Sequence, residues 1–136
     1  MNGSDGPAAL YVDTSAAARI ILREPGAAAT EASLSRSGPM VASQLMRTEL
    51  QRVGLRMGAT DEVERFLEGV SLIPLTADLL RAAESVEPTS VATLDAIHLV
   101  TALAAREGGV LDSLMTYDAS LATAAAHHGL AVLAPG

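Results

Sequence analysis

Residues 10–16 read LYVDTSA, and this stretch decides the fold class. Leu10, Tyr11 and Val12 form the tail of an apolar run of the kind buried on both faces of a sheet, whereas Ala16 through Leu22 has helical composition and spacing. Asp13 falls at the turn between them. The arrangement returns at residues 114–121, LMTYDASL: Leu114 to Thr116 is a short strand, Ala119 to His127 an alanine-rich helix, and Asp118 stands between. A strand that runs directly into a helix is the unit of a parallel sheet, and in an open sheet the strand ends share one edge where ligands bind.

Working outward from these two stretches, strand signals occur at Ala9 to Val12, Met40 to Ala42, Ser71 to Pro74, Leu114 to Thr116 and Leu130 to Leu133. Helical patterns fill the intervals. One runs from about Ala27 to Ser35 and stops before Gly38-Pro39; another runs from Gln44 to about Met57 and stops at Gly58. A further helix follows Thr60, with Asp61 and Glu64 spaced as a capping box. Thr76 opens the next, with Asp78 in its first turn and Pro88 closing it. The longest spans Thr93 to Glu107 and halts at Gly108-Gly109, after which Asp112 reads as a turn residue. The expected architecture is α/β, a central parallel sheet of about five short strands flanked by helices. Residues 1–7 show no apolar pattern and read as a flexible leader; residues 8–136 read as one domain.

With 136 residues, a single domain can bury roughly two-thirds of its unfolded surface. Hydrophobic residues make up 49% of the chain and aromatics 2%, so the core is expected to be aliphatic, with Tyr11, Phe66 and Tyr117 as its few rings. The chain has no cysteine, which excludes disulfides, thiolate zinc sites and a cysteine nucleophile. All nine basic residues are arginine, so Schiff-base catalysis and a Walker-type phosphate loop are excluded too. A net charge of -7 argues against nucleic-acid binding by the surface as a whole. Neither a membrane span nor an export signal is visible, and a cytoplasmic protein is expected.

Four acids deserve separate treatment: Asp13, Glu49 in SQLMRTELQRV, Asp95 in TLDAIHLVTAL, and Asp118. Singly, each has an ordinary explanation. Asp118 can be an N-cap worth about 1 kcal/mol. Asp95 can complement a helix dipole for about 0.3 to 1 kcal/mol. Glu49 can pair with Arg47 or Arg52. Together they place carboxylates at strand ends and helix starts, where a parallel sheet converges them into a crevice suited to a hard divalent cation such as Mg2+ or Mn2+. His98, three residues after Asp95, has no second helical His and no Cys to complete a zinc set, and reads as a partly buried, hydrogen-bonded histidine. His127 and His128 complement a helix C-terminus.

The order LYVDTSA, RTEL, TLDAIHL, MTYDASL, ending in GLAVLAPG, resembles the PIN-domain ribonucleases, and more closely the VapC toxins of bacterial toxin-antitoxin pairs, over Leu10 to Gly136. The resemblance implies a PIN-like three-layer fold and Mg2+- or Mn2+-dependent RNA hydrolysis. It carries the metal-binding and catalytic roles onto Asp13, Glu49, Asp95 and Asp118, with Thr14, Ser15 and Thr116 as supporting hydroxyls. It also implies a VapB-type antitoxin as partner and a homodimer or a hetero-oligomer with that antitoxin. Arg19 and Arg23, with Arg47, Arg52 and Arg56, are candidates for a positive rim that meets RNA. One position departs: the family often has an arginine three residues before the helix aspartate, and here Ala92 stands there. A phosphoacceptor receiver domain would need paired acids after the first strand and a late lysine. An Asp-x-Asp phosphatase would need an acid where Ser15 stands. A non-catalytic module of the same fold, or a housekeeping nuclease without an antitoxin, remains the alternative.

Overall fold

The computed structural model describes residues 8–136; the proposed leader lies outside the described residues. Five parallel strands alternate with seven helices in the order β1 (Ala9–Val12), α1 (Thr14–Ile21), α2 (Ala27–Arg36), β2 (Met40–Ser43), α3 (Gln44–Met57), α4 (Thr60–Leu67), β3 (Val70–Ile73), α5 (Ala77–Ala83), α6 (Thr93–Glu107), β4 (Leu111–Met115), α7 (Ala119–His127) and β5 (Ala131–Leu133). The sheet order is β3-β2-β1-β4-β5. No helix among the described residues is long and apolar enough to cross a membrane.

β1 is buried along its whole length because it has helices on both faces. Alternate side chains divide between two cores. Ala9 and Tyr11 enter one with Leu99, Ala102, Leu121 and Ala124 of α6 and α7. Leu10 and Val12 enter the other with Ala16, Ala17, Met46, Leu50 and Val63 of α1, α3 and α4. Alanine lets these helices sit close to the sheet, and Gly54 does the same between helices: a Cβ there would meet Val63 Cγ2 at 3.0 Å and Thr60 Cα at 3.3 Å. Of the three rings, Tyr11 is fully buried, whereas Phe66 and Tyr117 are only partly so.

From β1 the chain winds outward through β2 and β3, then returns to the other side of β1 to lay down β4 and β5. The reversal opens a crevice between β1 and β4 at the carboxyl edge of the sheet. Asp13 follows β1, and Thr116 to Asp118 follows β4. α6 runs antiparallel to the strands, so its first turn, with Asp95, lies at the same edge.

Three local readings change. β4 begins at Leu111, not Leu114, and Asp112 is an exposed strand residue rather than a turn; one solvated side chain does not prevent a strand whose other face is buried. Thr60 opens α4 after Ala59, without a side-chain cap; Asp61 only occupies the first turn. Glu64 is instead held by Arg47 at 2.8 Å and by Gln51. α5 ends at Ala83, ahead of Pro88, while Thr76 does cap it by accepting from Leu79 N–H.

Candidate active site

Asp13 is the fixed point of the crevice. It is the N-cap of α1 and only 4% exposed. Its Oδ2 accepts from the Ser15 hydroxyl at 2.8 Å, the Thr116 hydroxyl at 2.8 Å and, more weakly, Ser15 N–H at 3.4 Å. Each hydroxyl also accepts a backbone N–H from the turn after β4: Ser15 Oγ from Tyr117 at 2.9 Å and Thr116 Oγ1 from Asp118 at 3.0 Å. Two turns from opposite ends of the sequence are thereby bolted together through one carboxylate oxygen. A backbone bond from Asp13 N–H to Met115 C=O completes the joint.

Asp118 does cap its helix, with Oδ1 accepting from Leu121 N–H at 2.8 Å. Glu49, on the second turn of α3, places Oε1 against the Thr14 hydroxyl at 2.6 Å and His98 Nε2 at 2.7 Å. It pairs with neither Arg47 nor Arg52. Asp13, Glu49 and Asp118 each commit one oxygen to these hydrogen bonds and leave the other outside them.

Asp95 differs. Partial burial, then the charges of Asp118 and Asp13, with a further push from Glu49, raise its pKa to about 6, against the pull of His98. These fields show that the four acids share one region. Burial would also raise Glu49, but the bonds from His98 and Thr14 outweigh it and hold its pKa below the usual glutamate value. The feature that sequence reasoning underrated is His98, 1% exposed. Its Nε2 faces Glu49 and lies 3.7 Å from Asp13 Oδ1, while its Nδ1 is 2.7 Å from the Tyr11 hydroxyl. Burial would lower its pKa; the Glu49 bond and the charges of Asp13, Glu49 and Asp95 outweigh that and raise it. Parity carried the missed signal, because Tyr11 and Asp13 share a strand face and His98 sits one turn from Asp95.

The arginine rim is smaller than the sequence suggested. Arg19 stacks 3.5 Å from the centre of the Tyr117 ring and donates to Pro25 C=O at 3.0 Å. Its side chain therefore ties α1 to the β4–α7 turn. Arg47 is occupied by Glu64. Arg23, Arg52 and Arg56 are exposed.

Among the described residues, no three His, Cys, Asp or Glu side chains are gathered tightly enough to enclose an ion between them. Mg2+ does not require such a cage: it keeps several waters and is commonly held through one or two carboxylates. An all-oxygen set in which separate elements each present a free carboxylate oxygen fits that cation.

An open parallel α/β sheet with four acids around its switch point defines a class of carboxylate-bearing domain, and the comparisons narrow it. The PIN domain family model matches residues 10–111. The chain belongs to the PIN-domain family. Ribonuclease VapC46 of Mycobacterium tuberculosis (strain ATCC 25618 / H37Rv) is 38% identical over 130 residues, covering 94% of this chain and 98% of the relative. Ribonuclease VapC47 of Mycobacterium tuberculosis (strain CDC 1551 / Oshkosh) is 34% identical over 134 residues, covering 93% and 97%. The crystal structure of Mycobacterium tuberculosis VapC20, described as a sarcin-ricin loop cleaving toxin, superposes with a TM-score of 0.66 at 18% identity, over 85% of this chain and 94% of that one. That likeness confirms the three-layer fold.

Proposed function

We propose that the protein is a divalent-metal-dependent endoribonuclease and the toxin of a toxin-antitoxin pair. The observation that carries the reading is that four separate elements bring Asp13, Glu49, Asp95 and Asp118 to the β1–β4 edge of the sheet, close enough that Asp118, Asp13 and Glu49 add to burial in raising the pKa of Asp95. The ribonuclease names of relatives aligned along nearly the whole chain support it.

Asp13 and Asp95 would hold Mg2+ or Mn2+, with Asp118 joining directly or through water. When bound, such an ion lowers the pKa of water and stabilises the oxygen that leaves phosphorus. Ser15 and Thr116 hold Oδ2 of Asp13, which leaves Oδ1, 3.7 Å from His98 Nε2, as the oxygen to meet the ion. Glu49, held below its usual pKa, is ionised at neutral pH; it completes the shell of the ion and orients the attacking water or takes its proton. With Arg19 engaged elsewhere, exposed Arg23, Arg52 and Arg56 are the remaining candidates of the rim to meet the RNA backbone, and Arg52 lies one turn beyond Glu49 on α3.

A cognate antitoxin would occupy the groove of about 450 Å3 between α1, α2 and α4, where Ile20, Ile21 and Phe66 offer apolar surface beside Arg23 and Arg65. A short amphipathic segment that folds on binding suits such a lining. The chain would act in the cytoplasm as a single domain, as a homodimer or bound to its antitoxin.

The deciding measurement is cleavage of RNA by the purified protein with Mg2+ and with excess EDTA. Cleavage should require Mg2+ and fall on the order of a thousandfold in Asp13→Asn, the loss of several kcal/mol of charge stabilisation. Undiminished cleavage in EDTA would refute metal dependence. A Mg2+-dependent nuclease that co-purifies with no neighbouring small protein would instead be a housekeeping enzyme.

A further inference from the structure

Glu49 sits on a helix of one layer, yet it is gripped by a histidine from the other. α3 packs with α1 and α4 on one face of the sheet, and α6 packs with α7 on the opposite face. His98 reaches over the end of β1 and joins the two. Glu49 is a flexible three-torsion side chain with 24% exposure, so what fixes its orientation matters to whatever it does.

The direction of the hydrogen bonds in this bridge follows from one N–H that can only donate and one buried hydroxyl whose hydrogen needs an acceptor. Ser43 N–H can only donate, and it donates to the Tyr11 oxygen at 3.1 Å. The Tyr11 hydrogen is then free for its other neighbour, Nδ1 of His98, at 2.7 Å. A nitrogen that accepts carries no hydrogen, so the neutral ring bears its hydrogen on Nε2. That hydrogen faces Glu49 Oε1 at 2.7 Å, and the Thr14 hydroxyl donates to the same oxygen at 2.6 Å. Both bonds fall on Oε1 and leave the second oxygen free of them. Tyr11 and His98 are fully or almost fully buried, and neither has another side-chain partner that could reverse the chain among the described residues.

We propose that Tyr11 and His98 are positioning residues for Glu49: a buried relay, started by the end of β2 and passed through β1 and α6, fixes the Nε2–H tautomer of His98 and so holds one oxygen of Glu49 while turning the other to the reacting water. The proposal rests on the nuclease reading for its consequence and on the hydrogen bonds alone for its existence. Outer partners of this kind typically change metal affinity or activity by about 10- to 100-fold when removed.

The test separates those two parts. Nitrogen-15 NMR of the metal-free protein at pH 8 should show His98 as the Nε2–H tautomer, with its signals assigned by their disappearance in His98→Gln. In Tyr11→Phe, which keeps the ring and loses the hydroxyl, the tautomers should mix. Calorimetric titration with Mn2+ should show affinity about tenfold or more weaker in Tyr11→Phe and in His98→Leu, and partly restored in His98→Gln, whose amide can still donate to Oε1. In RNA cleavage, kcat should fall while KM for RNA changes less than twofold, because neither side chain reaches the substrate. A merely structural role would lower the melting temperature without the tautomer change or the kcat-against-KM split. An Nδ1–H tautomer in the parent protein overturns the proposal without recourse to any variant. Parental Mn2+ affinity in both Tyr11→Phe and His98→Leu overturns it equally. A parent protein that shows the tautomer and the Mn2+ effects but cuts no RNA would count against the nuclease reading and leave the relay standing.

Discussion

The two sides of the crevice are built on different principles. On the strand side, Asp13 is clamped by two hydroxyls that are themselves held by backbone N–H groups. On the helix side, α6 follows Ala92, which offers no side-chain cap, and Asp95 stands within the fields of three other acids with a pKa of about 6. One side spends hydrogen bonds to make a carboxylate immobile. The other leaves a carboxylate electrostatically strained, so that a cation entering the crevice relieves repulsion as well as gaining ligands.

The contrast breaks most visibly at Thr116. Thr116→Val keeps the shape of a fully buried side chain and removes both the donor to Asp13 Oδ2 and the acceptor of Asp118 N–H. Leaving buried partners unsatisfied should destabilise the fold by about 2 kcal/mol, read as a lower midpoint in urea at unchanged slope. Cleavage should fall with it as Asp13 loosens. Full stability in this variant would show that the clamp is incidental.

The helix side should respond to pH. A carboxyl whose folded pKa exceeds its unfolded value binds more protons when folded between about pH 4 and 6. Asp95 therefore favours folding below about pH 4, and that contribution is lost as pH rises through about 6. Asp95 is partly solvated, so the effect is reduced to about 1 kcal/mol. In EDTA, Asp95→Asn should flatten the stability profile over this interval and be the more stable protein at pH 7. An identical profile in the parent and the variant would mean that the acids do not crowd.

The smallest effect sharpens the comparison. Ala92→Arg places an arginine at i,i+3 from Asp95 on an exposed turn. The Asp95 pKa, followed by NMR of its carboxyl carbon, should move down from about 6 by less than one unit, since exposed pairs contribute about 0.2 to 1 kcal/mol. An unmoved pKa would show that the strain arises from burial rather than from unbalanced charge.

The strand side was almost fully legible in the sequence. LYVDTSA and MTYDASL place their acids by chain continuity alone, and strand-to-helix junctions in a parallel sheet have only one edge to occupy. The helix side was legible in position but not in chemistry. TLDAIHLVTAL locates Asp95 and His98 on one face, but which groups lie opposite depends on how α3 and α6 meet over the sheet, and no local pattern encodes that. Arg19 shows the converse: from sequence it is a candidate for the positive rim, and what the sequence did not show is the structural berth given to it by the αL turn at Gly26 and the ring of Tyr117. The false capping box at Asp61 arose because Glu64 finds a better partner on another helix than on its own backbone.

The bond from Thr116 to Asp13 spans 103 residues, and it fixes when as well as where the crevice forms. A chain emerging from the ribosome as far as the end of α6 already carries Asp13, Glu49 and Asp95. It still lacks β4, the second neighbour of β1, and the hydroxyl that locks Asp13. Closing so long a loop is slow and comes late in folding. The crevice is thus incomplete throughout most of the chain's synthesis.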